Sequence, residues 1–182
     1  AYLDNQDERD NSRTLEGTTV EILGSYNNGD GTADVYIGLE VVSATTEYVD
    51  AASYTFPEAA TVLSAFDEGG TMPGSTSQIE VCDIVVNETI NAAIFGDADF
   101  LADTSNGSTF GCLSTTYHRH VVTVSAYTDS ITMSYHLADD CWQAPGEPCD
   151  DQFGEVVIPP PSDEVFCPED DFEPNNFFEA QD

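Results

Sequence analysis

His118 and His120 are the residues of this sequence whose types and spacing most directly suggest chemistry. Residues two apart on a β-strand point to the same face, so both imidazoles could serve as ligands of one metal ion. Asp139 or Asp140 would supply a third ligand. The competing interpretation, which we favour from sequence, is structural: a His–Asp pair at the margin of a sheet that binds no metal ion.

The sequence contains no catalytic motif. Neither HExxH nor GxSxG occurs. Cys112 precedes His118, but a cysteine in an exported chain more often forms half of a disulfide than a catalytic nucleophile. The aromatic residues Trp142, Tyr117 and Tyr135 could face a sugar, although each has a core or loop role available. We therefore predict that the protein is not an enzyme. A calcium- or carbohydrate-binding module is the first alternative, and a secreted hydrolase is the second.

The charge balance is extreme, with 35 acidic residues against three basic ones and a formal net charge of -32. Nucleic acids and anionic membranes are disfavoured as partners, because both need clustered Lys or Arg. Three explanations remain: function in high salt, where ions screen self-repulsion, binding of divalent cations, or a basic partner. The absence of lysine fits a halophilic protein best, with calcium second.

The loop NNGDGTAD, at 27–34, resembles loops that wrap calcium. An EF-hand frame fails there, because aligning its glycine to Gly31 places Tyr26 and Ile37 at the first and last ligand positions. A plain hairpin turn is the better interpretation. The sequence establishes no cofactor, and calcium is the candidate that it offers. The candidate metal ligands are Asp30, Asp34, Asp97, Asp99 and Asp103.

Five cysteines without a CxxC pair indicate disulfides and an oxidising compartment. We predict that Cys141 and Cys149 close a short loop and that Cys82 pairs with Cys112, which leaves Cys167 odd. Two glycosylation sequons begin at Asn87 and Asn106. No stretch approaches the roughly 20 apolar residues that cross a bilayer, so membrane insertion is not expected. These features predict an extracellular or cell-surface protein.

The elements that would position these residues are short strands and the loops between them. Segments such as TTVEILGSY and ADVYIGLEVV show apolar residues at every second position, which indicates a sheet buried on one face. No segment shows a useful helical period. The predicted fold is all-β, an antiparallel β-sandwich of immunoglobulin-like or jelly-roll-like type, with a barrel as second choice. The predicted organisation is an acidic N-terminal arm at 1–16, the sandwich at 17–158 and a Pro-rich acidic C-terminal arm at 159–182.

One hairpin has a register that the sequence predicts in detail. A turn at Thr128 and Asp129 would place Val124 opposite Met133 and Val122 opposite Tyr135, all on one apolar face. The same register places Ala126 opposite Ile131, His120 opposite Leu137 and His118 opposite Asp139, with His136 on the other face. Thr-Asp is not a preferred turn pair.

Two stretches resemble known families. The segment DDFEPNNFFEAQD, at 170–182, is similar to the opening of bacterial pre-peptidase C-terminal domains, which are β-sandwiches appended to secreted and surface proteins. Residues Val20 to Phe66, in which EYVD leads to FPEAATVLSA, resemble a β-sandwich module of secreted and cell-surface bacterial proteins. Both resemblances imply an exported surface protein, and neither implies a catalytic residue.

The C-terminal arm suggests how copies could assemble. Three consecutive prolines form a stiff spacer that carries a segment away from its own domain, and an extended segment can complete a neighbour's open sheet edge. We predict an exported structural subunit of an extracellular filament or surface array, a homopolymer joined through its arms. The alternative is that the arms fold back on their own domain. The predicted assembly residues are Val165, Phe166, Phe172, Phe177 and Phe178.

Overall fold

A hairpin opens the part of the chain that the computed structural model describes, which comprises residues 19–41, 51–71, 78–79, 81–96, 113, 116–138 and 152–164. Strand β1 (Thr19–Asn27) pairs antiparallel with β2 (Thr32–Val41). Gly29 and Gly31 in the turn have φ angles of 83° and 88°, a left-handed conformation that glycine adopts without strain. The hairpin predicted around this turn is confirmed.

Eight further strands complete the described chain. They are β3 (Ala51–Thr55), β4 (Val62–Thr71), β5 (Gln78–Ile79), β6 (Asp83–Asn87), β7 (Ala92–Gly96), β8 (Thr116–Ser125), β9 (Ile131–Ala138) and β10 (Gln152–Ile158). They form a first sheet of order β1-β2-β8-β4-β5 and a second sheet of order β10-β9-β3-β7-β6. Every neighbouring pair within the sheets is antiparallel. The predicted all-β, immunoglobulin-like sandwich is confirmed. No helix among the described residues is long and apolar enough to cross a membrane.

The core lies between the two sheets and follows the alternation seen in the sequence. Strand β2 contributes every second residue to it, and β8 and β9 do the same from opposite sheets. Fully buried members of this core are Val35, Ile37, Leu39, Tyr54, Phe95, Val122, Val124, Met133, Leu137 and Ile158. A period of two places the core residues of β2, β8 and β9 on one face of each strand, whereas β7 is buried along its whole length and β3 at four of its five residues.

The hairpin predicted between β8 and β9 is wrong. Strand β8 pairs with β2 and β4 in the first sheet, whereas β9 pairs with β3 and β10 in the second sheet. Residues 126–130 therefore cross from one sheet to the other instead of forming a two-residue turn. Both strands have one apolar face, and the two faces meet the same core from opposite sides. The alternation in the sequence is therefore compatible with a hairpin in one sheet and with a crossing between the two sheets. His136 does lie on the outer face of its sheet, where its ring stacks on Phe153 with centroids 4.2 Å apart.

Asn91 joins the loop after β3 to the turn before β7. Its side-chain Nδ2 donates to the carbonyl oxygens of Phe56, Pro57 and Ala60 at 2.9, 3.1 and 3.0 Å, and its Oδ1 accepts from the amide of Val62 at 2.8 Å. Its φ of 57° is the one positive value at a non-glycine residue in the described chain. One amide side chain thus satisfies three carbonyl groups of the loop between β3 and β4 and the first amide of β4.

The segment that follows β10 lies on the edge of β1. We call residues 159–164 the C-terminal strap. Ser162 forms a parallel bridge with Tyr26, in which the Asn27 amide donates to the Ser162 carbonyl at 2.7 Å and the Ser162 amide donates to the Ser25 carbonyl at 2.8 Å. The Tyr127 hydroxyl donates to the Pro159 carbonyl at 3.0 Å. The chain therefore stays on its own domain as far as Ser162, beyond the proline triplet at which the sequence predicted its departure.

Candidate functional site

Two strands of the first sheet bring together a carboxylate and both of the histidines noted in the sequence. In the pairing of β4 with β8, Asp67 lies opposite His120 and Gly70 lies opposite His118. The register shifts between Asp67 and Gly70, where Glu68 and Gly69 of β4 lie opposite the single residue Arg119 of β8, so β4 carries one extra residue as a β-bulge. Asp67 and the two histidines all face the core, on the side of the sheet that the second sheet covers.

The three side chains form a tight and fully enclosed cluster. One potential ligand atom from each of Asp67, His118 and His120 lies within 4.8 Å of the other two. His120 Nε2 is 3.7 Å from Asp67 Oδ1. Both histidines are 0% exposed and Asp67 is 3% exposed. We call these residues the Asp–His–His cluster; the other described residues contain no comparable group of histidine, cysteine and acidic side chains.

Backbone amides hold the Asp67 carboxylate in place. Oδ1 accepts from the amide of Gly69 at 2.7 Å, and Oδ2 accepts from the amide of Cys82 at 2.8 Å. Gly69 has a φ of 81°, so the bulge depends on a residue without a side chain. Two hydrogen bonds from neutral donors stabilise a buried carboxylate only in part, and the described chain places no Lys or Arg within the cluster.

His120 is fixed by contacts from the opposite sheet. Its Nδ1 forms a hydrogen bond of 2.9 Å with the Tyr54 hydroxyl, and its ring stacks on Phe95 with centroids 3.9 Å apart. Burial, and then the proximity of His118, holds the pKa of His120 well below its usual range, so the imidazole is neutral. Burial likewise raises the pKa of Tyr54, which remains a phenol. His120 Nε2 is buried with no hydrogen-bond partner among the described residues.

This arrangement suits metal coordination better than acid–base catalysis. Two imidazoles and a carboxylate are donors that transition metal ions prefer. A catalytic pair needs contact with substrate, whereas these three side chains are enclosed between the sheets. The sequence did identify His118 and His120 as partners on one face. It placed them at a sheet margin beside Asp139, and that location is wrong: they lie in the core beside Asp67.

Asp67 was missed because its position depends on the bulge. The apolar segment ATVLSAF, at 60–66, reads as a strand that ends just before Asp67-Glu68-Gly69-Gly70. An acidic residue followed by two glycines inside an apolar strand is a signal for a bulge, and it could have indicated that β4 continues to Thr71. On the outer face of the same bulge, the Glu68 carboxylate forms an ion pair with Arg119.

The predicted calcium candidates that the structure describes belong to the β1–β2 hairpin. Asp30 Oδ1 accepts from the Thr32 amide at 3.1 Å and from the Thr32 hydroxyl at 2.6 Å, and the latter bond is the main cause that lowers the pKa of Asp30. Asp34 Oδ1 accepts from Asn28 Nδ2 at 3.1 Å and from the Thr123 hydroxyl at 2.7 Å. The bonds with Thr32 and Asn28 are those of a hairpin turn, and the bond with Thr123 joins β2 to β8.

Several other predicted residues can be placed. Cys82 is disulfide-bonded; its pairing with Cys112 stays a prediction. Asn87 lies at the end of β6, where its Oδ1 accepts from the Thr89 amide at 3.0 Å. Tyr117 is exposed on the outer face of the first sheet, whereas Tyr135 packs against the core. The predicted residues that lie outside the described residues are Asp97, Asp99, Asp103, Asn106, Cys112, Asp139, Asp140, Cys141, Trp142, Cys149, Val165, Phe166, Cys167, Phe172, Phe177 and Phe178.

Comparison with known proteins finds likeness of structure and none of sequence. No family model matches the chain, and no curated protein matches it. The major pilin SpaD of Corynebacterium diphtheriae is similar at 10% identity and a TM-score of 0.45, over 77% of this chain and 35% of the pilin. The N-terminal domain of the Streptococcus gordonii adhesin Sgo0707 is similar at 9% identity and a TM-score of 0.46, over 81% of this chain and 33% of that one.

A third similar structure is the collagen-binding domain of a Staphylococcus aureus adhesin, at 5% identity and a TM-score of 0.40, over 78% of this chain and 96% of that domain. The chain thus spans about a third of the solved pilin and adhesin chains and nearly all of the collagen-binding domain. Identities and TM-scores this low say nothing about what the present chain binds or assembles with.

Proposed function

We propose that this chain is a non-catalytic structural subunit of an extracellular filament or surface array, in which copies join along their sheet edges. The observation that carries the proposal is the open edge of β10. This strand pairs with β9 on one side and with no described strand on the other. It also exposes two apolar side chains, Phe153 and Val157. Long apolar edges invite pairing with another chain, and proteins that avoid such pairing usually protect them.

The composition supports an exported and salt-dependent assembly. A net charge of -32 makes two copies repel each other in dilute buffer. At molar salt the Debye length shrinks to about 3 Å, so that short-range contacts between apolar edges can dominate. Assembly that requires high salt is therefore the behaviour expected of this chain.

The C-terminal strap runs along β1 in the parallel direction. Because the strap is parallel to β1 and Ser162 lies beside Tyr26, the chain at Glu164 travels toward the β1–β2 turn, where β1 ends. We propose that residues 165–178 continue to a neighbouring copy and add a strand to its β10 edge. Such pairing would gain main-chain hydrogen bonds, and the phenylalanines of the tail would supply apolar anchors.

The test compares the full chain with one that ends at Glu164. This truncation keeps the strap and its bonds to β1, so the shortened chain should keep its β spectrum and its melting temperature. In molar salt the full chain should form filaments visible by electron microscopy, and the shortened chain should remain monomeric in light scattering. Filaments of unchanged form from the truncated chain would contradict the proposed role of the tail.

A pair of point variants tests the edge itself. Val157→Lys places a charge on β10, where the side chain is 64% exposed, and should abolish filaments without unfolding the domain. Val81→Lys is the matched control, since Val81 is 57% exposed and precedes β6 on the opposite side of the second sheet. Equal assembly by both variants would count against the β10 edge.

A second candidate function, carbohydrate binding, is favoured by one observation. The outer face of the first sheet carries the exposed aromatic side chains of Phe66 and Tyr117, and the strand register brings Tyr36 to the same face. Aromatic rings on a sheet offer flat apolar surfaces with polar tips. Binding to a glycan array that disappears in Phe66→Ala and Tyr117→Ala, with filaments retained, would establish this function instead.

A further inference from the structure

We propose that Asp67, His118 and His120 bind one divalent transition-metal ion, zinc foremost, inside the core of the sandwich. The inference is independent of the proposed assembly. It starts from His120 Nε2, which is fully buried and has no hydrogen-bond partner among the described residues. A buried polar atom without a partner is costly and calls for an explanation, of which an ion is one.

Neither neutral tautomer of His120 resolves this problem within the described chain. If Nε2 carries the proton, it has no acceptor within hydrogen-bond distance among the described residues, because Asp67 Oδ1 is 3.7 Å away, which is too far for a hydrogen bond. If Nδ1 carries the proton and donates to the Tyr54 hydroxyl, Nε2 presents its lone pair toward a carboxylate oxygen, which is repulsive. A cation between the two atoms turns both lone pairs into ligands.

The distances fit a shared ion. Nitrogen and oxygen ligands lie about 2.0–2.2 Å from zinc, so two ligands at a tetrahedral angle are roughly 3.3–3.6 Å apart. The separation of 3.7 Å between His120 Nε2 and Asp67 Oδ1 is close to this range. No two of the three potential ligand atoms are more than 4.8 Å apart, and a small rotation of one imidazole would bring the most distant pair closer together.

The surroundings of the cluster are those of a supported site. Ligating carboxylates are themselves hydrogen-bonded, and a ligating histidine usually donates through its other ring nitrogen. Asp67 accepts from two backbone amides, at 2.7 and 2.8 Å. His120 Nδ1 lies 2.9 Å from the Tyr54 hydroxyl, and Phe95 fixes the ring plane by stacking on it. Both residues are thereby oriented by groups that do not themselves coordinate.

The donor set and the enclosure select the class of ion and its role. Calcium and magnesium prefer oxygen ligands throughout, whereas two imidazoles and one carboxylate suit zinc, copper, iron or nickel. The cluster is closed to solvent and to substrates, so the ion would be structural. It would cross-link β4 to β8 at the bulge where their regular pairing is interrupted.

The experiment uses the full chain, refolded with zinc and passed over a chelating resin that removes ions from surface carboxylates. Mass spectrometry of metals should then find about one zinc ion per chain. X-ray absorption should show nitrogen and oxygen ligands at about 2.0–2.1 Å with the outer-shell scattering of imidazole. At a free zinc concentration one hundred times Kd, the melting temperature should rise by about 5–10 °C over the metal-free chain.

Two matched histidine variants test the assignment. His120→Asn keeps an atom near the position of Nδ1 for the Tyr54 contact and removes Nε2, so the ion should be lost. His136→Asn alters the third histidine, which lies on the outer face of the second sheet, and should retain it. Less than about a tenth of an ion per chain, a purely oxygen ligand shell, or imidazole scattering unchanged in His120→Asn would overturn the proposal. The measurements on the unaltered chain decide the matter if His120→Asn does not fold.

Discussion

Replacing Asn91 should lower the free energy of unfolding by several kcal/mol, although Asn91 lies in a turn. Its side chain forms four hydrogen bonds, three from Nδ2 to carbonyls and one to the Val62 amide. The three Nδ2 contacts share two hydrogens, so about three bonds are lost in Asn91→Ala. At roughly 0.5–1.5 kcal/mol each, their loss lowers the free energy of unfolding by about 3 kcal/mol.

The left-handed backbone at Asn91 adds a second, separable contribution. Alanine at a φ of 57° costs roughly 1 kcal/mol that glycine avoids. We therefore expect Asn91→Ala to lose about 4 kcal/mol and Asn91→Gly about 3 kcal/mol. Asn91→Asp should be as damaging as alanine at neutral pH, because it keeps the acceptor for Val62 but turns a carboxylate oxygen toward three carbonyls.

Urea unfolding at fixed molar salt measures these differences. With an m-value of about 2–3 kcal/mol per molar urea, a loss of 4 kcal/mol lowers the midpoint by roughly 1.5–2 M. A midpoint for Asn91→Ala within about 0.3 M of the unaltered chain would refute the count of hydrogen bonds. A glycine variant less stable than the alanine variant would refute the contribution assigned to the backbone.

Three further outcomes are expected. Burial raises the pKa of Tyr127 above its usual value of 10.0, because the folded state favours the neutral phenol. The stability that this pKa shift contributes is complete below pH 10 and is lost as the pH rises through the folded-state pKa. Urea unfolding between pH 8 and 11 should show this decline weakened in Tyr127→Phe. Gly38→Ala should destabilise the first sheet by about 1–3 kcal/mol, because a Cβ there would lie 2.7 Å from the Tyr117 hydroxyl; in a Tyr117→Ala background the cost should largely vanish, and a cost that persists would contradict the steric explanation. Dialysis from molar to low salt should lower the melting temperature, whereas unchanged melting would mean that bound cations already neutralise the carboxylates.

The burial pattern could be predicted from sequence because it is local. Val35, Ile37 and Leu39 alternate with polar residues, and the glycines of the preceding turn fix where β2 begins. Which strands pair with one another is a long-range property, and the local alternation does not indicate it. Val122 and Met133 both face the core, but nothing in their spacing indicates that they do so from opposite sheets.

The candidate site was predictable in part, for the same reason. The spacing of His118 and His120 placed them on one face of a strand, which the structure confirms. Asp67 joins them at a β-bulge, where β4 carries one extra residue, and an insertion in the register leaves no periodic signal. Asn91 is similar, since its function depends on a left-handed backbone that its sequence neighbours do not reveal.

The parallel bridge between the C-terminal strap and β1 determines how the domain would respond to mechanical force. The chain enters β1 at Thr19, and the strap leaves beside Asn27 at the far end of the same strand. Tension applied to the two termini would therefore pull β1 and the strap in opposite directions along their common axis. The two backbone bonds of the bridge, and the bond of 2.8 Å from Asn27 Nδ2 to Asp163, would be loaded together in shear instead of opening one after another. The C-terminal strap would therefore bear the force at the edge of the sandwich. The core would bear force only after the bonds between the strap and β1 break.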